Sequence, residues 1–407
     1  MLLALTWRNL WRRPQRTLLS MAAIALVNAL LVLALSFMVG VYGTMKETTL
    51  RIFDGYAQFQ PDGWGDDPSL DRDIGQPQVL LERARRLSGV TTASPRVNAF
   101  AILAHGDRSY GAAVVGVEPA IEGRISSIPG AIREGRYLAA SDSDTAILGE
   151  LLARNLGLKV GDRVTLLGAG REQASAADVL TVVGLYRTGI PDLDRSILEM
   201  PLGRAQDDFG MQGLVTTIAL AGPSLDGVNR QLPALRAMAL SAGVSVLDWS
   251  ALEPGLDEQI KLKYASALQF YFTLVAVVAF ITLNTLLMSV LERTREFGVL
   301  LALGMRPGQI GTMVWLELLL MSALGCVAGV AAGAAVTFWL AQQGVAIPGL
   351  DKIAPQFGMP SRLYPSLTPF SVLTAPTAIL VCMLIGGLAP FARVMRLKPA
   401  DAVRTAR

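Results

Sequence analysis

The sequence predicts an α-helical membrane protein with four transmembrane helices and a large α+β domain inserted between the first two of them. Its 407 residues are 52% hydrophobic and only 17% charged, with a mean hydropathy of +0.44, which is too apolar for an ordinary soluble protein. Four apolar runs are each long enough for a helix of about 20 residues to cross a bilayer core. Most charged residues fall in one long stretch between the first and second runs, which predicts a sizeable domain outside the bilayer.

Net charge and rare residue types exclude several classes of function. The net charge of +3 does not indicate a nucleic-acid partner. His105 is the only histidine, and the two cysteines, Cys326 and Cys382, both fall in apolar runs. A zinc site, a disulfide framework and Ser–His or Cys–His catalysis lack their usual residues, so we predict no metal site and no catalytic residue. The sequence also contains no Gly-x-x-x-x-Gly-Lys-Ser/Thr motif for binding phosphate.

The chain opens with a basic amphipathic segment, residues 1–16. Trp7 and Trp11 recur at helical spacing with arginines beside them, which is typical of a helix lying on the inner membrane surface. A frayed basic start is the alternative. The apolar run that follows, residues 17–41, is too long for a signal peptide and ends without a clear cleavage site. We therefore predict an uncleaved first transmembrane helix.

Residues 42–263 differ from the rest of the chain in composition and pattern. Short alternating stretches typical of strands are interleaved with helix-like stretches, which predicts an α+β domain. The predicted strands are Tyr56–Gln60, Arg96–Ala104, Tyr110–Val117, Arg163–Leu167, Val179–Tyr186, Val215–Leu220 and Val244–Leu247. The predicted helices are Val79–Leu87, Glu150–Leu156 and Leu225–Leu240.

The remaining segments complete a topology with four transmembrane helices. They are the second helix at 264–290, a cytoplasmic segment at 291–312, the third helix at 313–340, a short outer loop at 341–368, the fourth helix at 369–390 and a basic tail at 391–407. Lysines and arginines are concentrated before the first helix, between the second and third, and after the fourth. By the positive-inside rule, both termini are cytoplasmic and the large domain lies on the other side of the membrane.

The segment Glu292–Ile310, ERTREFGVLLALGMRPGQI, is a charged, helix-prone stretch between two apolar runs. Each charge would cost about 2.5–3.5 kcal/mol at the centre of a bilayer, so the segment must lie at a membrane face. The charges at its start can pair with a partner protein, and its leucines can hold it against the bilayer. A cytoplasmic loop without a partner is the alternative.

Four stretches resemble those of the MacB/FtsX-like ABC transporter permeases. They are, in chain order, LTWRNLWRRPQRTLLS, LLARNLGLKVGDRVTLLG, ERTREFGVLLALGMRPGQI and APFARVMRLKPADAVR. The resemblance covers the whole chain, and the size of the outer domain makes it most similar to the lipoprotein-releasing LolC/LolE type. It implies a bacterial inner-membrane protein that works by mechanotransmission, in which a cytoplasmic ATPase dimer moves a periplasmic domain.

The same resemblance implies partners and the residues that meet them. ATP and magnesium would be bound by the separate ATPase dimer, with no cofactor bound by this chain. A second permease, identical or related, would complete the pair, with a periplasmic carrier or adaptor and membrane lipids as further partners. The ATPase-coupling residues would be Glu292, Arg293, Arg295, Glu296, Leu303, Gly304, Met305 and Arg306.

Two further groups of residues are singled out by their positions on the transmembrane helices. Candidates for lining an acyl-chain cavity, with ordinary lipid-facing residues as the alternative, are Phe37, Met38, Val41, Phe270, Tyr271 and Phe272. Gly325, Gly329 and Gly333 follow a small-xxx-small spacing that lets two helices approach closely. Because the family's dimer is centred on the first two helices, we expect these glycines to pack the third helix within its own subunit.

Three functions fit this architecture, and an enzyme function competes with them. The first is extraction of lipoprotein or lipid-like cargo from the outer leaflet of the inner membrane. The second is MacB-like export of amphiphilic small molecules or peptides with a periplasmic adaptor, and the third is FtsX-like signalling to a periplasmic partner. The alternative from a different class of function is an enzyme in the outer domain, but the sequence displays no nucleophile–base pair.

Overall fold

The described part of the chain forms two compact units. The computed structural model describes residues 2–12, 14–65, 67–346, 348 and 362–395. The helical unit is drawn from Met1–Tyr42, Ile260–Ile347 and Arg362–Arg407, and the α/β unit is centred on Gly43–Gln259. Much of the predicted outer loop at 341–368 and most of the predicted basic tail at 391–407 lie outside the described residues.

Helices occur in both units. In chain order they are α1 (Leu2–Leu10), α2 (Pro14–Ile52), α3 (Pro77–Arg85), α4 (Pro119–Glu122), α5 (Glu150–Leu156), α6 (Pro191–Ser196), α7 (Leu202–Asp208), α8 (Leu225–Asn229), α9 (Leu232–Ala242), α10 (Trp249–Leu252), α11 (Pro254–Glu292), α12 (Thr294–Ala302), α13 (Pro307–Gln343), α14 (Pro369–Gly386) and α15 (Leu388–Met395).

Strands are concentrated in the α/β unit. They are β1 (Ala57–Pro61), β2 (Thr92–His105), β3 (Arg108–Val117), β4 (Ile132–Gly135), β5 (Thr145–Gly149), β6 (Arg163–Ala169), β7 (Ser175–Tyr186), β8 (Ile197–Pro201), β9 (Thr217–Ala221) and β10 (Val244–Asp248). A two-residue pair, β11 (Val345–Ala346) and β12 (Arg362–Leu363), lies in the helical unit.

Within the described residues, four helical stretches are long and apolar enough to cross a membrane, and they contain the four predicted runs. They are α2, α11, α13 and the stretch Pro369–Met395, which contains α14 and α15. Helices α2 and α11 have 39 residues each, so at 1.5 Å per residue each is about 58 Å long. Each is therefore longer than its apolar run, because hydropathy marks where a helix can meet hydrocarbon and not where its backbone hydrogen bonds end.

The short helix α1 packs by one face against the helical unit. Thr6 and Leu10 are buried, while Trp7 and Trp11 are largely exposed, with ring centroids 6.1 Å apart. The Asn9 amide donates to the sulfur of Met313 over 3.4 Å, which ties α1 to α13. The face of α1 that carries Thr6 and Leu10 is thus covered, whereas the tryptophans that defined the amphipathic pattern are exposed.

Helices α2 and α13 approach closely along the glycines of α13. A Cβ placed on Gly325, Gly329 or Gly333 would lie within 2.9 Å of an atom of α2, and at Gly329 that atom is the carbonyl oxygen of Ala25 at 2.5 Å. Any larger residue would force the two helices apart. The Asn28 amide of α2 donates to the backbone carbonyl of Cys326 over 2.8 Å, so a buried hydrogen bond accompanies this packing.

The strands of the α/β unit form one ten-stranded system with a closed part and an open part. Pairings run from β2 to β3, β8, β5, β7 and β6 and back to β2, which closes a ring of six strands. The open part continues from β2 through β9 and β1 to β10. Each part has its own hydrophobic core, as expected for two lobes.

Strand β2 belongs to both lobes. Its first residues, Thr92–Arg96, pair with β9, and Val97–His105 pair with β3. Arg96 therefore stands at the point where the strand passes from one lobe to the other. The seven predicted strands are all present, and the structure adds β4, β5 and β8. The predicted helix Leu225–Leu240 is divided into α8 and α9, because Pro233 starts a new helix at its first turn.

Candidate coupling site between the second and third long helices

The segment that follows α11 forms one short helix and a tight turn. Helix α12 ends before Leu303, and Gly304 adopts a positive φ of +94°, a conformation that favours glycine. Pro307 then opens α13, and the Arg306 backbone N–H donates to the side chain of Gln309 over 3.1 Å. Glycine and proline thus place the turn between the two helices, as expected from their backbone preferences.

One face of α12 is anchored in the core of the helical unit. Phe297 and Gly298 are buried, and Phe297 belongs to the same hydrophobic cluster as residues of α2, α11 and α13. Leu300, Leu301 and Met305 pack against that cluster while partly buried. Leu300 and Leu301, two of the leucines that the sequence assigns to the bilayer, therefore hold α12 against the other helices of its own chain.

The charge of Arg293 is turned toward the protein interior. Its side chain is 11% exposed, and its Nη1 lies 3.3 Å from Oε2 of Glu317, itself 14% exposed, in α13. Its guanidinium also lies over the ring of Phe297, 5.3 Å from the centroid. A cation in this position is held by an ion pair and an aromatic face at once.

The two glutamates of the same segment pair with the basic start of the chain. Arg16 Nη1 lies 2.9 Å from Glu292 Oε2, and Arg12 Nη1 lies 3.1 Å from Glu296 Oε2. Glu296 also accepts from Arg293 Nε over 3.4 Å. We call Arg12, Arg16, Glu292, Arg293, Glu296 and Glu317 the charge network. All of its members except Glu292 line a cavity of about 260 Å³, together with Ser20 and Ser289.

Other residues of the segment point away from the helical unit. Arg295, Val299 and Leu303 follow one another at four-residue spacing and are exposed, Leu303 by 78%. Gly304 and Arg306 are exposed at the turn that follows. We call Arg295, Val299, Leu303, Gly304 and Arg306 the outer ridge. Sequence reasoning missed Val299, although its spacing of four residues from both Arg295 and Leu303 is a signal for a shared helix face.

The candidate cavity residues differ in their exposure in the single chain. Phe37, Met38 and Val41 are partly buried on α2. On α11, Tyr271 packs against the hydrophobic cluster, whereas Phe270 and Phe272 are more than 60% exposed. The rings of Phe270 and Tyr271 lie 6.3 Å apart, and further aromatic contacts are Tyr42–Tyr264, with centroids 5.6 Å apart, and Tyr264–Phe370 at 6.4 Å. Sequence reasoning missed Tyr42 and Phe370, although both adjoin predicted helix ends.

A second charged cluster is buried inside the α/β unit and was not predicted. Arg96 and Glu122 are almost fully buried and form an ion pair, to which Ser94 adds a hydrogen bond of 3.2 Å. Glu199 is fully buried, and its Oε2 accepts from the Tyr137 hydroxyl over 3.1 Å. Burial and the neighbouring Glu122 raise the pKa of Glu199 to about 8. The signals in the sequence were the charged residues Arg96 and Glu199, each of which lies in an apolar stretch that resembles a strand.

A carboxyl pair lies in the α/β unit, beside the ends of α2 and α11. Asp54 follows the end of α2, and Glu253 directly precedes α11. Burial, followed by the neighbouring Glu253, raises the pKa of Asp54 to about 7. The pKa of Glu253 is also raised, chiefly by burial. Among the described residues, no group of three histidine, cysteine or acidic side chains is arranged to hold a metal ion.

Comparisons with known proteins assign the chain to a family. The MacB-like periplasmic core domain matches residues 17–235, and the FtsX-like permease C-terminal family matches residues 269–399. The chain belongs to the MacB/FtsX-like permease family. The two matches follow one another along the chain, in the order of the two-part organisation that the sequence predicts.

Individual relatives agree with this assignment. The lipoprotein-releasing system transmembrane protein LolC of Neisseria meningitidis is 25% identical over 95% of this chain and 94% of its own length. The macrolide export ATP-binding/permease protein MacB of Hyphomonas neptunium is 26% identical over 80% of this chain and 49% of its own. The periplasmic region of MacB from Actinobacillus actinomycetemcomitans superposes with a TM-score of 0.35 at 15% identity over 49% of this chain and 91% of its own, a likeness too weak to add to the assignment.

These matches establish the general class of the protein. The protein is an ABC transporter permease of the LolC/LolE or MacB type, a membrane protein that carries a domain of the periplasmic core family. Permeases of this class are subunits of transporters that use ATP through an ATPase component, and the matched family indicates the inner membrane.

Proposed function

We propose that this chain is the permease of a mechanotransmitting ABC transporter that extracts lipoprotein or lipid-like cargo from the outer leaflet of the inner membrane. The observation that carries the proposal is the pair of 39-residue helices, α2 and α11, whose residues are shared between the helical unit and the α/β unit. A continuous helix keeps its backbone hydrogen bonds along its length, so displacement at one end is passed on to the other. Similarity to LolC along nearly the whole chain favours lipoprotein as cargo.

The orientation in this proposal follows from the basic residues. Both termini and α12 lie in the cytoplasm, and the α/β unit lies in the periplasm, as the positive-inside rule requires. A separate ATPase dimer binds ATP and magnesium and docks on the segment that contains α12. A second permease, identical or related, supplies the other half of the transporter. The outer ends of α2 and α11, with Phe37, Met38, Val41, Phe270, Tyr271 and Phe272, border the path of the cargo.

The exposed aromatic residues of α11 suit this role. Phe270 and Phe272 are exposed in the single chain, and an apolar side chain so placed meets either lipid or a second apolar surface. The two rings would contact acyl chains if they face lipid, and also if they face the second permease across a lipid-filled gap. The cavity would therefore be complete only in the dimer.

Purification of the full chain from native membranes tests this function. We expect an ATPase to co-purify and mass spectrometry to detect lipidated protein or lipid-like material, which ATP releases from detergent-solubilised complexes or vesicles. Release that needs no ATP, or hydrolytic activity of the chain without an ATPase, would contradict the proposal.

Export of amphiphilic small molecules or peptides is the second candidate, favoured by the match of the MacB-like periplasmic core to residues 17–235. A periplasmic adaptor that co-purifies in place of lipidated cargo would favour it. Signalling to a periplasmic partner is the third candidate. It would be favoured if ATP changed the activity of a co-purified periplasmic protein while no cargo moved.

A further inference from the structure

We infer that Glu292, Arg293 and Glu296 do not meet the ATPase. Glu292 and Glu296 join the start of the chain to the segment that contains α12, and Arg293 holds this segment against α13, so that one docking segment moves both α2 and α11. The inference rests on the proposed function. It assigns Arg12 and Arg16 as positioning residues, and it leaves the outer ridge as the surface that the ATPase contacts.

The spacing of the charges supports intramolecular pairing. Arg12 and Arg16 are four residues apart, as are Glu292 and Glu296, and each arginine pairs with one glutamate at 3.1 Å or less. The pairs run in antiparallel order, since the earlier arginine meets the later glutamate, and two such pairs define the alignment of the segments more closely than one.

The third pair anchors the network. Arg293 and Glu317 are both largely buried, and they join α12 to α13. A buried charge whose partner is taken away is costly, whereas an exposed pair such as Arg12–Glu296 contributes little alone. Arg293 therefore fixes α12 in place, and the two more exposed pairs determine how the start of the chain is attached to it.

The attachment of α1 and α2 completes the connection. The Thr17 hydroxyl donates to the backbone carbonyl of Leu10 over 2.8 Å and links the two helices across their turn. Leu10 is buried in the same hydrophobic cluster as Phe297. A force on α12 thus reaches α11 through the chain itself and reaches α2 through Arg16 and Glu292. Both helices continue into the α/β unit, so they would move together.

Charge reversal with rescue tests this inference. In the full chain with its ATPase, we expect Arg16→Glu, Glu292→Arg, Arg12→Glu and Glu296→Arg each to lower cargo release per ATP hydrolysed by about fivefold or more, the scale of a coupling free energy between sites. ATPase co-purification should persist in all four. The double variants Arg16→Glu with Glu292→Arg, and Arg12→Glu with Glu296→Arg, should recover most of the release. Arg8→Glu, an exposed arginine of α1, is the matched control and should leave release unchanged.

The result that would overturn the inference is equally specific. If Glu292→Arg and Glu296→Arg abolish ATPase co-purification and the matching arginine reversals do not restore it, these glutamates face the ATPase. Melting temperatures of all variants, measured in detergent, separate a folding defect from a coupling defect. A variant that fails to fold alone but folds as the double variant also supports the pairing.

A cross-linking measurement is independent of cargo. With Cys326→Ser and Cys382→Ser as background, cysteines replacing Arg16 and Glu292 should be joined by a short bis-maleimide in native membranes, whereas cysteines replacing Arg8 and Glu292 should not. If the Arg16–Glu292 cysteine pair is cross-linked but the unaltered chain releases no cargo, the proposed function is overturned and the charge network is supported. Absence of the Arg16–Glu292 cross-link alongside normal release would overturn the network alone.

Discussion

Glu199 is a residue whose ionisation is set entirely by its surroundings. It lies on β8 with the carboxylate of Glu122, the guanidinium of Arg96 and the hydroxyls of Tyr137 and Tyr186 as its charged and titratable neighbours. One cation cannot balance two buried carboxylates, so Glu122 takes the ion pair and Glu199 retains its proton to about pH 8. The α/β unit therefore binds a proton in a range where an unfolded chain has lost it.

This proton makes stability fall as pH rises. An unfolded glutamate ionises near pH 4.3, and the folded Glu199 ionises near pH 8. Between these values the folded state holds the extra proton, so the free energy of unfolding drops by about 1.4 kcal/mol for each unit of pH. Asp54, whose pKa is raised to about 7, acts in the same direction over part of the range.

Glu199→Gln, which imitates the protonated acid, should remove most of this dependence. We expect the melting temperature of the full chain to fall less between pH 5 and pH 8.5 in the variant than in the unaltered chain, with the variant the more stable at pH 8.5. Glu134→Gln, at an exposed position of β4, is the control. Parallel pH profiles for Glu199→Gln and the unaltered chain would contradict the assignment of the proton to Glu199.

Gly329 is the residue where α2 and α13 come closest. Gly329→Ala places a methyl group 2.5 Å from the Ala25 carbonyl oxygen, so the helices must separate, at a cost of about 1–3 kcal/mol by analogy with other overpacked cores. Gly43→Ala in α2 is the matched control, because a Cβ there meets nothing within 4 Å and alanine favours helix. Unfolding in detergent should show Gly329→Ala destabilised and Gly43→Ala equal to or above the unaltered chain. Equal losses at both positions would contradict close packing at Gly329.

At the scale of elements, helix α12 has two faces with different surroundings. The inner face carries Phe297 and the charge network, and the outer ridge carries exposed side chains. The proposed docking role needs both faces, because a firm attachment inside allows a contact outside to transmit force. The ridge includes Leu303, an exposed apolar side chain of the kind that fills a pocket on a partner.

Leu303→Glu should therefore weaken the ATPase contact. We expect co-purification of the ATPase to fall by about tenfold or more, which corresponds to about 1.4 kcal/mol of binding free energy. Leu240→Glu is the control, since Leu240 is 82% exposed on α9 in the α/β unit and should leave the ATPase bound. Normal co-purification with Leu303→Glu would remove the outer ridge from the docking surface.

At the scale of the whole molecule, the continuity of α2 is the feature on which the proposed mechanism depends. Its last residues, beyond Tyr42, belong to the α/β unit, and the helix continues there to Ile52. A flexible break within it would allow the α12 end to move while the α/β unit stays still. Cargo release would then no longer be coupled to ATP hydrolysis, although every contact at the docking segment is intact.

Insertion of Gly-Ser-Gly between Gly43 and Thr44 makes such a break, because glycine is a poor helix former. We expect cargo release per ATP to fall about fivefold or more, with ATPase co-purification unchanged. The same insertion after Gly106, at the exposed turn between β2 and β3, should have little effect. Full release with the broken α2 would argue against transmission through this helix.

The amino-acid sequence was enough to predict the four apolar helices and seven of the strands of the large domain. These follow from hydropathy, periodicity and backbone preference, which act between residues close together in the chain. The short strands β5 and β8 escaped prediction because they are buried on both faces and carry no alternation.

The partners of the charged side chains, in contrast, depend on tertiary packing. Arg12 and Arg16 meet glutamates that are 284 and 276 residues away in the chain, and Arg96 finds Glu122 where β2 passes between lobes. Closure of the six-stranded ring likewise depends on β2 meeting both β3 and β6. A local pattern reveals that a charge must be satisfied, but the partner is selected by which distant segments the packing brings together. For that reason Glu292, Arg293 and Glu296 read as a docking surface in the sequence and lie in an intramolecular network in the fold.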